Sequence, residues 1–198
     1  MPVYLIRHPV PQIASGICYG QSDLTVDVTE REAVLARLLP QLPSYCHIMT
    51  SPLRRCADLA TALCGALAAT ANSGEATMVP QSDPRLMELN FGDWENQAWD
   101  RIPRAEIDAW ADHPVTYAPG GGESVLAMSI RIADFMRELQ QKQQNSSIVA
   151  NCVLICHAGS IRQIRAYQCT PEPMQMAQHV LADQRVISYG ECVVLHWH

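Results

Sequence analysis

Short apolar runs alternate along this chain with longer amphipathic stretches, and the alternation predicts strands and helices in turn. The runs at 3–6 and 152–156 are rich in Val, Ile and Leu, which is typical of strands covered on both faces, and 46–50 is predicted as a further core strand. Met78 and Val79 predict a short edge strand before Pro80, and the stretch 191–197 predicts a last strand. The core of the fold is therefore expected to be a sheet.

Helices are predicted between these strands, at about 29–39, 51–69 and 124–143, with a further helix that starts near Ser160. Thr29 with Glu32 forms a capping box, while Ser51 is the expected N-cap of the second helix and Pro52 its first residue. Alternating strands and helices predict an α/β fold, a three-layer sandwich in which a mostly parallel open sheet carries helices on both faces.

The segment at about 86–122 interrupts this alternation. It is irregular, rich in Trp and Pro, and contains one predicted short helix at about 99–110. An irregular stretch of this length between regular elements is typical of a functional excursion over a sheet. We therefore predict one domain, residues 1–198, with a small cap insertion at 86–122.

Composition limits the classes of partner. The chain has 198 residues, 48% of them hydrophobic, and a formal net charge of −6, which argues against a general nucleic-acid-binding surface but leaves room for a small cationic pocket. The sequence shows no run of membrane-spanning length and no basic leader with a long apolar stretch, so no membrane contact and a cytoplasmic location are expected. It predicts no particular oligomeric state.

Cysteine usage fits the same compartment. The 8 cysteines include no C-x-x-C pair and no Cys/His spacing of a zinc module, so reduced, buried thiols and no metal site are expected.

Two histidines stand at the ends of predicted strands. Arg7 and His8 follow the first, and His157, Ala158 and Gly159 follow the run at 152–156. Ligands of open α/β sheets bind beyond the carboxyl ends of such strands, so both imidazoles are expected in one site. For either histidine alone, an imidazole that bonds a nearby carbonyl is the simpler interpretation.

Two further side chains extend the candidate site. Arg54 falls in the first turn of the predicted second helix, where a guanidinium is unfavourable unless an anion lies beside it. Arg55 is interpreted as a solvated charge that points elsewhere. Glu88, among Leu86, Met87 and Leu89, is either a surface carboxylate or a carboxylic acid held in the low-dielectric surroundings that suit a general acid.

These side chains form a coherent set for phosphoryl transfer. A neutral imidazole can attack phosphorus, arginines can neutralise the phosphate oxygens, and a carboxylic acid can protonate the leaving alkoxide. This chemistry needs neither a metal nor a cofactor, and the partner it requires is a small-molecule phosphate ester.

Five ordered motifs make the sequence resemble a known family. They span most of the chain: LIRH ending at His8, SPLRR from Ser51, LMELNFGDWE from Leu86, PGGGES ending at Ser124, and CHAG from Cys156. Together they resemble the histidine phosphatase (phosphoglycerate-mutase-like) superfamily. The resemblance implies that His8 is phosphorylated, that Arg7, Arg54 and His157 bind the phosphate, and that Glu88 is the proton donor.

A narrower resemblance concerns the substrate. Arg7-His8-Pro9 together with the loop from Cys18 to Leu24 is similar to the α-ribazole phosphatase branch, which acts on α-ribazole 5′-phosphate or cobalamin phosphate. A phosphoglycerate mutase or a sugar-phosphate phosphatase is the second interpretation, and a non-catalytic phospho-ligand-binding protein of the same fold is the third.

The chain departs from the family at the first motif. The family continues R-H-G-x-T-x-x-N, whereas Pro9 and Ala14 stand at the glycine and amide positions, and Ser15 is a possible substitute for the amide. Asn96 stands where a glycine is common. Further candidate substrate contacts are Tyr19, Gly20, Trp94 and Ser124; core packing is the alternative for Trp94, and helix capping is the alternative for Ser124.

Overall fold

A five-stranded sheet forms the centre of the molecule. The computed structural model describes residues 2–70, 79–145 and 151–196. The strands are β1 (Pro2–Arg7), β2 (Cys46–Thr50), β3 (Gln81–Ser82), β4 (Asn151–Cys156) and β5 (Cys192–His196), in the spatial order β3-β2-β4-β1-β5. All neighbouring pairs are parallel except β1 and β5, so the prediction of a mostly parallel open sheet is confirmed.

Six α-helices are seen in the described residues, and all but α3 cover the two faces of the sheet. They are α1 (Val28–Leu38), α2 (Arg54–Thr70), α3 (Arg104–Asp112), α4 (Val125–Asn145), α5 (Ala158–Cys169) and α6 (Pro173–Ala182). Successive strand residues point to opposite faces. Val3, Leu5 and Leu154 pack with residues of α4, α5 and α6, while Ile6, Val153 and Ile155 pack with residues of α1 and α2. The three-layer α/β sandwich is thus confirmed.

Both predicted capped helices begin at other residues than expected. In α1 the N-cap is Asp27, whose carboxylate accepts the N–H of Thr29 at 2.8 Å. In α2 the first intrahelical bond runs from Ala57 to the carbonyl of Leu53, so the helix begins at Arg54 and not at Pro52.

Three further elements differ from expectation. The edge strand follows Pro80, at Gln81–Ser82, and leaves Val79 outside it; Met78 lies outside the described residues, as does Trp197 at the end of the last predicted strand. Helix α6 was not predicted, although Pro173 at its first position is a favourable start.

The predicted helix of the excursion at 86–122 is interrupted in the structure. The predicted helix at 99–110 is divided into a single 3₁₀ turn, Trp99–Arg101, and α3, because Pro103 drives Ile102 into an extended conformation with ψ 131°. Cys18, Trp94 and Ile102 form a small buried cluster beneath it. The description of 1–198 as one domain with a cap remains a prediction. No described helix is long and apolar enough to cross a membrane.

Candidate functional site

The two histidines meet at the carboxyl ends of adjacent strands. In the register of β1 and β4, Arg7 pairs with Cys156, so the next residues, His8 and His157, leave the sheet side by side. Their rings make an edge-on contact with centroids 5.0 Å apart. The structure therefore brings together two side chains that are 149 positions apart in the sequence (157 − 8).

His8 is a neutral imidazole with one nitrogen committed. It is only 2% exposed, and its Nδ1 donates to the carbonyl of Pro9 at 2.7 Å, which leaves Nε2 unprotonated. Burial, together with the charges of Arg55 and Arg7, lowers the pKa of His8 to about 3. Pro9 lacks an N–H, but its carbonyl orients the imidazole. Nε2 is thus a free lone pair at neutral pH.

His157 is fully buried and both of its ring nitrogens are occupied. Nδ1 accepts from Nε of Arg55 at 3.3 Å, so Nε2 carries the proton and donates to Oγ of Ser51 at 2.9 Å. Burial, followed by the effects of His8 and Arg55, holds the pKa of His157 well below its ordinary value. His157 is not among the cavity-lining residues, and its Nδ1 helps to position Arg55; its direct contact with phosphate stays a prediction.

Arg55, and not Arg54, belongs to the site. Arg55 is 1% exposed and donates to the carbonyls of Gly20 and Ser22 as well as to His157. Arg54 is exposed, and the contact that fixes it is made by its backbone N–H, which donates to Oδ1 of Asp23 at 2.7 Å. Successive residues of a helix point about 100° apart, so only one of the two can face the sheet edge. The interpretation of Arg54 as the pocket residue is therefore corrected.

Arg7 is held from the other side of the site. Its Nη1 donates to the carbonyl of Ile187 at 2.6 Å, and its guanidinium lies 3.6 Å from the ring centre of Tyr189. Its Nε is buried and has no partner among the described residues. Contacts of this kind orient the guanidinium and leave its charge unpaired.

The side chain of Glu88 is held at the beginning of α5, two residues after His157. Its two oxygens accept the N–H of Leu89 at 2.9 Å and the N–H of Gly159 at 3.0 Å. Gly159 leaves room for this carboxylate at the start of α5, because a Cβ there would overlap it. The carboxylate is half-buried, so it is neither a free surface charge nor a group sealed in an apolar pocket.

A cavity of about 290 Å³ joins these groups. One part is polar and basic; the other is mostly apolar and is formed by the excursion, α4 and α6. The lining residues are Arg7, His8, Tyr19, Arg55, Glu88, Leu89, Phe91, Val125, Met128, Ala158, Gly159, Arg162, Gln163 and Val180. The arrangement can hold an anion against Arg7, His8 and Arg55 while a larger group occupies the apolar part.

One of the candidate substrate contacts lines this cavity, and a second holds a residue that lines it. Tyr19 lines it, and its hydroxyl bonds that of Tyr189 at 2.6 Å; burial and this bond raise the pKa of Tyr19. Gly20 does not line the cavity, but its carbonyl receives Arg55, and a Cβ at Gly20 would overlap the backbone of Leu89.

The other three candidate contacts do not reach the cavity. Ser15 is exposed in the first loop and is not part of the lining. Trp94 is 2% exposed and donates to Glu106 at 2.6 Å, so it packs the excursion. Ser124 is the N-cap of α4, and its Oγ accepts the N–H of Ala127 at 3.1 Å. For Trp94 and Ser124 the structural alternative is therefore the one observed.

Sequence interpretation also missed four residues of the site. Ser51 was assigned only a capping role, although it receives His157. Arg162 and Gln163 lie one turn beyond Ala158 and Gly159 on the same face of α5, a helical spacing that could have identified them. Tyr189 comes from an irregular loop and carries no signal in the sequence.

All eight cysteines are free thiols, and six of them are buried. Within residues 2–70, 79–145 and 151–196, no group of three His, Cys, Asp or Glu side chains is placed to hold a metal ion.

Comparison with solved structures finds the same fold in several phosphatases. The α-ribazole phosphatase from Shigella flexneri is 22% identical, with a TM-score of 0.75, and the match covers 100% of this chain and 91% of that one. A mycobacterial glucosyl-3-phosphoglycerate phosphatase is 24% identical, with a TM-score of 0.70, over 89% of this chain and 83% of that one. A phosphoglycerate mutase from Thermus thermophilus is 25% identical, with a TM-score of 0.65, over 100% and 94%.

Comparison with curated proteins gives no match. The family model of the histidine phosphatase superfamily (branch 1), however, matches residues 3–192, nearly the whole chain. The match confirms the prediction of a phosphatase. With its paired strand-end histidines and its α/β sandwich, this chain belongs to the histidine phosphatase superfamily.

Proposed function

We propose that the chain is a metal-independent phosphomonoesterase that forms a phosphohistidine at His8 and acts on α-ribazole 5′-phosphate in the cytoplasm. The observation that carries the proposal is the state of His8, an imidazole whose Nδ1 is tied to Pro9 and whose Nε2 is free beside Arg7 and Arg55. A neutral, oriented imidazole between two cations is suited to attack a phosphate dianion.

In the first step, Nε2 of His8 attacks phosphorus and the bond to the ester oxygen breaks. Arg7 and Arg55 neutralise the phosphoryl oxygens, and Glu88, which enters this step protonated, gives its proton to the leaving alkoxide. In the second step, water attacks phosphorus and Glu88 takes a proton from it. The phosphorus–nitrogen bond breaks, and inorganic phosphate and neutral His8 are released.

The preference for α-ribazole 5′-phosphate is supported by the first loop and by the apolar part of the cavity. Tyr19 from the loop 18–24 lines the site, and Gly20 and Ser22 of the same loop hold Arg55. Leu89, Phe91, Val125, Met128 and Val180 offer an apolar wall suited to a ring system. Two similar structures carry the name α-ribazole phosphatase, one of them as putative.

Labelling with a ³²P-phosphate ester tests the covalent step. We expect acid-labile, alkali-stable label on the wild-type protein and none on His8→Ala. His47→Ala is the matched control, because His47 is an exposed residue of β2 that lies outside this cavity. Label that persists in His8→Ala would refute the nucleophile.

Glu88→Gln tests the proton donor. General acid–base assistance contributes about 10²–10⁴ in rate. We expect kcat of the variant to be lower by a factor within this range, while the inhibition constant of inorganic phosphate changes little. Equal turnover by the variant and the wild type would remove Glu88 from the mechanism.

A panel of esters tests the substrate. α-Ribazole 5′-phosphate should exceed phenyl phosphate, ribose 5-phosphate and 3-phosphoglycerate in kcat/KM. Comparable rates on all four would favour a broad phosphatase. Conversion of 3-phosphoglycerate to its isomer, without release of phosphate, would favour a mutase.

A further inference from the structure

Three arginines line the cavity, and backbone carbonyls hold all of them. Arg55 donates to Gly20 and Ser22, Arg7 to Ile187, and Nη2 of Arg162 to the carbonyl of Arg185 at 3.0 Å. A carbonyl fixes the direction of a guanidinium without cancelling its charge.

Arginines elsewhere in the described chain are commonly paired with carboxylates. Arg85 bonds Asp83 and Glu138, Arg131 bonds Glu123, and Arg165 bonds Asp183. By contrast, Arg7, Arg55 and Arg162 have no described carboxylate oxygen within 4.0 Å. Arg162 thus shares the unpaired state of the two arginines assigned to phosphate.

Arg162 also has an unused donor. Its Nε is buried and has no partner among the described residues, and Nε of Arg7 is in the same state. A buried donor without an acceptor destabilises the structure, and more so when the group is charged. Nε of Arg31 is in this state too, but Arg31 does not line the cavity, whereas at Arg7 and Arg162 an atom of a bound ligand can serve as the acceptor.

The position of Arg162 indicates which part of the ligand it meets. Ala158, Gly159, Arg162 and Gln163 form the face of α5 that lines the cavity. Gly159 holds Glu88, the proposed donor to the leaving oxygen, and Arg162 lies about one helical turn further along the same face. Arg162 therefore lines the cavity on the side where the leaving alcohol is expected.

Charge gives the same result. A phosphate monoester carries about two negative charges near neutral pH, which Arg7 and Arg55 balance. Glu88 must be protonated to act as an acid, so it cannot neutralise Arg162 in the reacting complex.

We infer that Arg162 is a specificity-determining residue that binds an acceptor oxygen on the leaving alcohol. This inference rests on the proposed phosphatase activity of the site. The favoured substrates are phosphate esters whose alcohol carries a hydroxyl, ring oxygen or carboxylate within reach of α5, and α-ribazole 5′-phosphate has such oxygens on its ribose. Simple aryl phosphates lack them.

The test compares three esters in the wild type and in Arg162→Met. Phenyl phosphate has no further acceptor, ribose 5-phosphate has neutral oxygens, and 3-phosphoglycerate has a carboxylate. We expect kcat/KM for one or both acceptor-bearing esters to fall about tenfold or more, the size of a lost hydrogen bond to a charged group, and phenyl phosphate to change less than about twofold. A loss confined to 3-phosphoglycerate identifies an anionic acceptor, and a loss that includes ribose 5-phosphate shows that a neutral oxygen suffices.

An equal effect on all three esters, or no effect on any, would overturn the inference. Arg137 is an exposed arginine of α4 outside the cavity. Arg137→Met removes the same charge there and should leave kcat/KM unchanged for all three esters. If Arg162→Met does not fold, Arg162→Gln is used, and a normal melting temperature is the criterion for either.

Binding of the same esters to His8→Ala, with and without Arg162→Met, gives a readout that needs no turnover. Failure of the proposed function appears as wild-type protein without activity or label. Failure of the inference appears as an effect of Arg162→Met on affinity that is the same for esters with and without the acceptor.

Discussion

At the scale of single residues, the site depends on two imidazoles that the fold keeps uncharged. His8 and His157 are 2% and 0% exposed, and both lie near arginines, so protonation of either is opposed by burial and by like charge. The same conditions leave the lone pair of His8 available. Burial beside arginines therefore makes His8 a nucleophile and also makes the fold sensitive to acid.

The stability of the protein should consequently fall in mild acid. Between about pH 6.5 and 3 the unfolded chain binds a proton at position 8 that the native state does not, so the free energy of unfolding decreases as the pH falls through this window. The contribution of His8 is about 1.4 kcal/mol per pH unit. The free energy of unfolding, measured with urea at pH 6.0, 5.5 and 5.0, should depend on pH less steeply in His8→Asn than in the wild type. The difference between the two slopes should be about this amount.

His157 contributes in the same direction, so part of the slope should remain in the variant. An identical pH dependence in wild type and His8→Asn would mean that the imidazole of His8 is charged or solvated in the native state.

Sequence predicted Arg7, His8, Glu88 and His157 because strand ends and motif order place them with little freedom. It could not choose between Arg54 and Arg55, since that choice depends on where α2 begins to within one residue. Asn96 is a related case: it stands where a glycine is common and adopts φ 63°, a left-handed conformation that asparagine tolerates better than most residues. Such local geometry is set by tertiary contacts.

At the scale of elements, the first residues of α5 fix the position of Glu88, the proposed proton donor. Gly159 brings its N–H to 3.0 Å from Glu88 at the N-terminal end of α5. The absence of a side chain there leaves room for the carboxylate.

Gly159→Ala should therefore separate activity from stability. The added methyl group overlaps the end of the flexible Glu88 side chain, which can move, and alanine favours helix over glycine by about 1 kcal/mol. We expect the melting temperature to change little or to rise, while kcat falls about 10²-fold because the acid is displaced.

Gly65→Ala is the matched control. A methyl group added to this residue of α2 would contact nothing within 4 Å outside its own stretch of helix, so stability should rise and turnover should be unchanged. Full activity in Gly159→Ala would show that Glu88 acts from another position.

Elements were predicted well where one periodic pattern sufficed. The strand Cys46–Thr50 was predicted with its observed bounds, and β4 differs from its prediction only by Asn151. The observed bounds of β3 were not predicted, because a strand of two residues exists only through its pairing with β2. Helix α6 was not predicted, because it is stabilised by packing against α4 and α5.

At the scale of the whole molecule, a chain of net charge −6 concentrates unpaired positive charge in one cavity. Arg7, Arg55 and Arg162 repel one another there, so the free protein should be less stable than the anion-bound protein.

Inorganic phosphate should accordingly stabilise the fold. At about 100 times its Kd a ligand adds about 2.7 kcal/mol, which raises the melting temperature of a protein of this size by about 5–10 °C. Arg55→Met should lose most of this rise, measured by calorimetry, and Arg54→Met should keep it. Equal rises in both variants would contradict the assignment of Arg55.

The loop between α6 and β5 supplies the carbonyls of Arg185 and Ile187 and the ring of Tyr189 to arginines of the cavity. During synthesis Ile187 and Tyr189, the partners that orient Arg7, leave the ribosome 180 and 182 residues after it. A nascent chain would thus expose its nucleophile long before the surrounding anion-binding groups could be completed.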